Sequence, residues 1–309
     1  MRPDPATPSV AAPAIRAVIL IAALIVPPGA DAALRAFPGA SEEAEGIPYS
    51  HPSSIRYSSA EDLFYVADTG NQRVVLLRGD LTEEGIVALS AAGFAPYCAL
   101  PVGDGSFWMS DLTKSGLYLV NARGDVTDTL RIGPGRTPGR ITWGADGRLI
   151  MIDRARRAVL RIDPSQGVSD SLAVPTEGVL EDIAVLPDGG WIVVAATGTP
   201  FWMLSPRSTT ASAAPARWTS WGSHGEKPDD SSFPCSVACN AKGEVWIVDA
   251  FRHELRLVSK DHRVVERLAP TGAGAPPLRF PIAVAVGRDG NPVVLERGVS
   301  RVQRIERIL

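Results

Sequence analysis

Few residues in this chain are of a type and spacing that could carry chemistry. There are three cysteines, Cys98, Cys235 and Cys239, and four histidines, His51, His224, His253 and His262. A cysteine acts as nucleophile or metal ligand only as thiolate, which needs a nearby cation or base, and no histidine stands at an obvious pairing position. The histidine spacing fits no short metal motif such as His-Glu-x-x-His, and there is neither a Gly-x-Ser-x-Gly elbow nor a glycine-rich phosphate loop. Cys235 and Cys239 on one extended strand would lie roughly 13 Å apart, too far for a disulfide, so three buried, reduced thiols are expected. His51 stands apart because it directly precedes Pro52.

Acids recur instead. Taking Asp68 as an anchor, Asp111, Asp153, Ala196, Asp249 and Glu296 follow at intervals of 43, 42, 43, 53 and 47 residues. Each is preceded by a short apolar run, such as Val245-Trp246-Ile247-Val248, and is followed after about four turn residues by another, such as Leu255-Arg256-Leu257-Val258. Six residues before the anchor stands Gly105, Gly147, Gly190, Gly243 or Gly290, with Asp62 in the first repeat. Glycine at a fixed offset supplies the positive φ of a hairpin turn. Fifteen residues before it stands Pro96, Pro138, Pro234 or Pro281, with Pro52 one residue further off. Proline lacks an N–H and suits the first residue of a strand. The fourth repeat has Glu181 in place of the proline and Ala196 in place of the acid. A period of this size predicts stacked four-stranded blades, and six are legible. One acid per blade is what a turn requires, since a carboxylate at a strand end accepts the N–H groups of the turn after it. Asp68 is also placed to pair with Arg73.

The run Ala67-Asp68-Thr69-Gly70-Asn71-Gln72-Arg73-Val74 resembles the signature of NHL repeats, which form six-bladed β-propellers. The fifth repeat resembles it over a longer stretch, from Gly222-Ser223-His224-Gly225 through Phe233-Pro234 to Trp246, Asp249 and Arg252-His253. The resemblance implies an all-β, six-bladed propeller of four-stranded antiparallel blades over residues 33–309. The chain ends just after a third strand, so Ala33-Leu34-Arg35-Ala36-Phe37 is expected to supply the missing outer strand of the last blade and close the ring. Peptide α-amidating lyases, propellers of similar repeat type, hold zinc with histidines just after the strand-opening proline. Here those positions are Ser53, Tyr97, Gly139, Asp182, Cys235 and Ile282, none of them histidine. The Glu-Gly-Pro opening of gluconolactonase-like propellers is likewise missing.

An up-and-down blade brings the loops that lead into each first strand and the loops after each anchor to one face. That face gathers His51, Tyr97, Arg140, Asp182 and Cys235 near the central channel. Further out it carries Asn71, Lys114, Arg154, Arg156, Arg157, Phe251, Arg252, His253 and Arg297. Two readings follow. In the first, the protein is a non-enzymatic binding module, and these five outer arginines hold a protein, a peptide or an anionic glycan. In the second, it is a metal-dependent lyase or hydrolase at the channel mouth, with His51, Tyr97 and Asp182 as ligand or acid–base candidates. A divalent metal is then the one cofactor implied, and His51 its first ligand; the binding reading needs none. A net charge of −3 is too small to argue for or against a polyanionic partner.

Residues 1–32 read as a secretory signal. Arg2 and Arg16 supply charge, Ala17 to Val26 are apolar, and Ala30-Asp31-Ala32 fits a cleavage site. Export to the periplasm or the medium is expected, with membrane attachment only through an uncleaved signal, no nucleic-acid partner, and a monomeric propeller. Arg207–Pro215 reads as an exposed loop, low in large apolar residues.

Overall fold

The computed structural model describes residues 33–90, 93–206, 217–269 and 277–308. The expected signal segment and the whole Arg207–Pro215 loop lie outside the described residues. Six four-stranded antiparallel sheets form the blades, five running in sequence order from an inner to an outer strand and the sixth taking its outer strand from the N-terminal segment; a two-stranded hairpin, Glu43–Ala44 with Ile47–Pro48, precedes the first blade. The inner strands are Ser54–Ser58, Pro96–Gly103, Pro138–Trp143, Leu180–Val185, Pro234–Cys239 and Pro281–Val286. Each packs on the next, and the last packs on the first, which closes a ring of blades. Four of these strands open on the prolines that the sequence marks, where no ladder donor is needed.

The second strand of each blade explains the apolar runs. Leu149–Asp153, Trp191–Ala195 and Val245–Asp249 are buried at every position, because each faces a neighbouring blade on both sides. The core is therefore six layers, not one. One cluster joins Ile55 and Phe64 of blade one to Ala283 and Leu295 of blade six. Another joins Trp246 and Leu255 of blade five to Val284 and Val294 of blade six. Fourth strands are more exposed, and Val264–Leu268 alternates between half-buried and exposed positions, because only one of its faces is covered.

Closure occurs as expected. Ala33–Ser41 pairs antiparallel with Arg301–Ile308, from Ala33 opposite Ile308 to Ser41 opposite Val302, with an irregularity between Ala36 and Ala40. Leu34, only 8% exposed, packs into the layer between blades five and six.

The anchor acids are fully buried turn clamps. Asp68 accepts the Ser50 N–H at 2.7 Å, the Asn71 amide at 2.7 Å and Arg73 Nε at 2.7 Å. Asp111 accepts the N–H groups of Ala95 and Thr113, and Asp249 those of Ser232, Phe233 and Arg252. Each carboxylate thus ties the loop leading into its blade's first strand to the turn after its second. Gly70 lets that loop come close: its N–H donates to the Ser50 carbonyl at 2.8 Å, and a Cβ there would lie 2.3 Å from Ser50 Oγ.

Blade four corrects the repeat by one residue. Leu180 pairs with Ala195 as Pro234 pairs with Asp249, so the anchor position falls on Ala195, not Ala196. The proline position is Leu180, not Glu181. Gly189, not Gly190, has the positive φ of the hairpin turn, at +86°. With no acid there, backbone and hydroxyl groups do the tying: Ala196 N–H donates to the Val179 carbonyl at 2.8 Å, and Thr197 Oγ1 accepts the Val179 N–H at 3.2 Å.

Candidate functional site

Five of the six inner strands carry a register irregularity directly after their opening residue; only the first runs unbroken into its partner. A bulge leaves a residue outside the ladder and re-aims its side chain. The bulged residues include Tyr97, Glu181, Cys235 and Ile282, and they ring the channel mouth on the loop face.

Below that ring the shaft is filled by a charged knot. Asp182 is fully buried and accepts Arg56 Nη2 at 2.6 Å, Arg140 Nη1 at 3.0 Å, Ser236 Oγ at 2.6 Å and the Val237 N–H at 3.2 Å. Arg140 reaches across to the Ser53 and Ile282 carbonyls at 3.0 and 2.7 Å, and Arg56 Nε donates to the Ile141 carbonyl at 3.0 Å. Ser53 Oγ donates to the Tyr97 carbonyl at 2.8 Å. All six inner strands are thereby joined. Burial alone would raise the Asp182 carboxyl, but Arg56, Arg140 and its hydrogen bonds outweigh it and hold it below the usual carboxylate range. Asp182 is accordingly an ionised structural hub, with its lone pairs spent on protein donors.

Above the knot, Glu181 lies beside Arg154, with Oε1 3.4 Å from Nη2, and the same guanidinium stands 5.6 Å over the Tyr97 ring. Burial is the largest influence on Glu181 and raises its carboxyl above the ordinary range, although Arg154 and Arg140 work against it. Cys235 is buried and its thiol is pushed up to about 12, by burial first. Cys239 is half-buried, not buried as expected, and burial pushes it up to about 11. All three cysteines are free, and neither of these two thiols is placed to be a nucleophile at neutral pH.

His51 is exposed, with φ at +46° and Nδ1 3.3 Å from Ser50 Oγ. No hydrogen bond or ion pair among the described residues joins it to Tyr97 or Asp182. A divalent metal at the mouth does not fit these residues: no three His, Cys, Asp or Glu side chains are grouped to hold one among the described residues, and the nearest carboxylate to the axis is already saturated by two arginines.

The outer arginines divide by what they touch. Arg252 Nη2 donates to the carbonyls of Gly225 and Lys227 at 2.7 and 2.8 Å, so it braces the loop leading into blade five. Arg157 faces Glu177, with 3.7 Å between Nη2 and Oε2, and Arg156 Nη2 donates to the Pro134 carbonyl at 3.0 Å. Arg297 is exposed, and its side chain makes no hydrogen bond or ion pair among the described residues; the same holds for Arg279.

No protein family matches this sequence, and no curated protein does. Among solved structures, virginiamycin B lyase from Staphylococcus aureus is similar at 13% identity and TM-score 0.61, covering 90% of this chain and 88% of its own. A gluconolactonase from Xanthomonas campestris matches at 12% identity and TM-score 0.64, over 84% of this chain and 86% of its own. The Cps50 (Swd1) β-propeller domain from Myceliophteria thermophila matches at 16% identity and TM-score 0.59, over 84% of each chain. What is shared is the propeller fold. At such identities the site residues must speak for themselves.

They point to a patch that the sequence assembled only in part. Phe233 stacks on Phe251 at 4.7 Å between ring centroids, and Phe251 meets Phe280 edge-on at 5.8 Å. Phe251 is 56% exposed and Phe280 42%. The Phe280 N–H donates to His253 Nδ1 at 3.0 Å, while the Phe280 carbonyl accepts the Arg297 N–H at 2.9 Å. Two exposed aromatic rings thus stand on backbone fixed by blades five and six, next to Arg279 and Arg297. The repeat frame placed Phe251, His253 and Arg297 on this face; Phe280, which completes the pair, stood only as a single aromatic just before Pro281.

Proposed function

We propose that this protein is an exported, NHL-type binding propeller that engages an anionic peptide or protein segment, or an anionic glycan, through the loop face of blades five and six. The carrying observation is the exposed Phe251–Phe280 pair, with the exposed Arg279 next to Phe280 in the chain and the exposed Arg297 held to the Phe280 carbonyl by its backbone N–H. Exposed aromatics beside arginine are the composition of binding interfaces, because the rings bury large area with little loss of side-chain freedom and the guanidinium adds charge and several directed donors. Rigidity supports the reading too, since the backbone beneath the patch is tied by strand pairing and by the Asp249 and Glu296 clamps. Arg154, Arg156 and Arg157 on blade three form a second, more tightly paired basic group on the same face.

The test uses residues 33–309 on arrays of sulfated and carboxylated glycans and on a displayed peptide library. Acidic ligands carrying an apolar group should be selected, and Phe251→Ala/Phe280→Ala/Arg297→Ala should weaken them at least tenfold while Arg154→Ala/Arg156→Ala/Arg157→Ala changes them less. Selected ligands that bind the first triple variant unchanged would discard this face.

The enzyme reading keeps one observation in its favour, the raised Glu181 carboxyl beside Tyr97 and Arg154 at the channel mouth. Propellers of this fold include a lyase and a gluconolactonase. Metal content of chelator-free protein measured by plasma mass spectrometry decides its metal-dependent form: a stoichiometric metal lost in His51→Ala would establish it.

A further inference from the structure

The ring has a second recess, on the face where the inner strands end and away from the patch proposed above. Blade four is the short blade: its third and fourth strands, Phe201–Leu204 and Trp218–Trp221, are 4 residues each, against 6 and 7 in blade three. Its outer half therefore covers less of blade five, and a groove of about 450 Å³ opens between them. The floor is apolar, formed by Leu186, Ile192, Met203, Val245 and Val258. One end is walled by Trp221 stacked on His262, with centroids 4.1 Å apart and planes 10° from parallel. Phe201 backs Trp221 from the other side at 5.3 Å.

The rim is cationic. Lys242 and Lys260 both line the groove and both are exposed. They lie on the hairpin turns of blade five, one after the first strand and one after the third. The acid at the rim, Asp188, uses Oδ1 to accept the Gly190 N–H at 2.9 Å. One negative and two positive charges thus surround an apolar floor.

We infer that the groove between blades four and five binds a small amphipathic anion, an aliphatic or aromatic body carrying one carboxylate or sulfonate. Its volume lies within the range of small-molecule sites, about 300–1,000 Å³, which are lined mainly by apolar side chains with few polar groups to set orientation. The body lies on Met203, Val245 and Val258 against the Trp221–His262 wall. The acid group sits at the rim between Lys242 and Lys260, whose ammonium groups act as point charges on flexible stems. A neutral ligand of the same shape would bind by the floor alone.

The probe is 1-anilinonaphthalene-8-sulfonate, titrated by fluorescence into residues 33–309 carrying Phe251→Ala/Phe280→Ala, which removes the other exposed aromatics. Saturable binding of one probe per chain is expected, displaced by dodecanoate. Met203→Trp fills the groove and should weaken the probe at least tenfold. Lys242→Glu/Lys260→Glu, at exposed turns where folding is not at risk, should weaken it at least fivefold yet leave the neutral N-phenyl-1-naphthylamine within twofold. Binding that does not saturate, or that persists through both variants, overturns the site. Equal loss of charged and neutral probes in the lysine variant overturns the anion. Far-ultraviolet circular dichroism on each variant separates loss of binding from loss of fold, and the lysine variant decides if Met203→Trp does not fold. The Phe251/Phe280 background keeps this outcome independent of the loop-face proposal.

Discussion

At the scale of single residues, adjacent carboxylates have opposite fates. Asp182 is held ionised by two arginines, whereas burial pushes its neighbour Glu181 toward the protonated form. Removing one partner from a buried charge cluster costs about 3–5 kcal/mol because the others are left uncompensated. Asp182→Asn should lower stability by about that amount in urea unfolding at pH 7. A carboxyl lowered by folding contributes stability that is present above its unfolded pKa and lost as pH falls through its folded one. The acid limb of the stability profile should therefore be shallower in Asp182→Asn. Glu181 works the other way: a carboxyl raised by folding favours the native state at low pH and loses that contribution as pH rises through its folded pKa. Glu181→Gln should accordingly change Tm little at pH 4 and raise it progressively, relative to the parent, between pH 5 and pH 8. An equal shift at every pH would mean that Glu181 does not titrate differently in the folded state.

At the scale of elements, the strand supplied by Ala33–Ser41 joins its sheet by hydrogen bonds alone, since its partner Arg301–Ile308 lies far from it in the sequence. Deleting residues 33–38 strips Leu34 from its layer and exposes the edge of Arg301–Ile308. A sharp fall in Tm with loss of cooperativity is expected, and an unchanged calorimetric transition would refute closure by this strand. Blade order, strand-opening prolines and hairpin glycines were all legible from the repeat, because each answers a local backbone demand. Blade four misled by one residue for an equally local reason. Gly189-Gly190 and Ala195-Ala196 are both doubled, so a gapless alignment fits either register, and only the pairing of Leu180 with Ala195 chooses between them. That slip hid Glu181, which moved from a supposed strand opening to a bulge at the channel mouth. The knot was illegible for another reason: Arg56 and Asp182 are separated by 126 residues, and no local pattern marks side chains that meet only on the axis.

For the whole molecule, stability rests on six similar interfaces and no central core, so unfolding of residues 33–309 should be one cooperative transition only while the ring is intact. Removing blade six, residues 277–309, takes away the Ile282 carbonyl from Arg140 and exposes two apolar layers at once. Such a fragment should bind a hydrophobic dye and show no sharp melting transition by calorimetry; a sharp transition in the fragment would mean that the blades are stable independently.

The knot around Asp182 also bears on how such a chain can change over generations. Repeat proteins gain and lose copies readily, since each unit resembles the next. Here the units are not interchangeable: one blade holds the carboxylate at the centre of the knot, two others hold the arginines that answer it, and the rest contribute a hydroxyl or carbonyls at fixed reach. A duplicated or deleted blade would widen or narrow the shaft and leave buried charge without its counterpart. The number six is thus written into three side chains, and these would resist replacement even where the loops above them diverge freely.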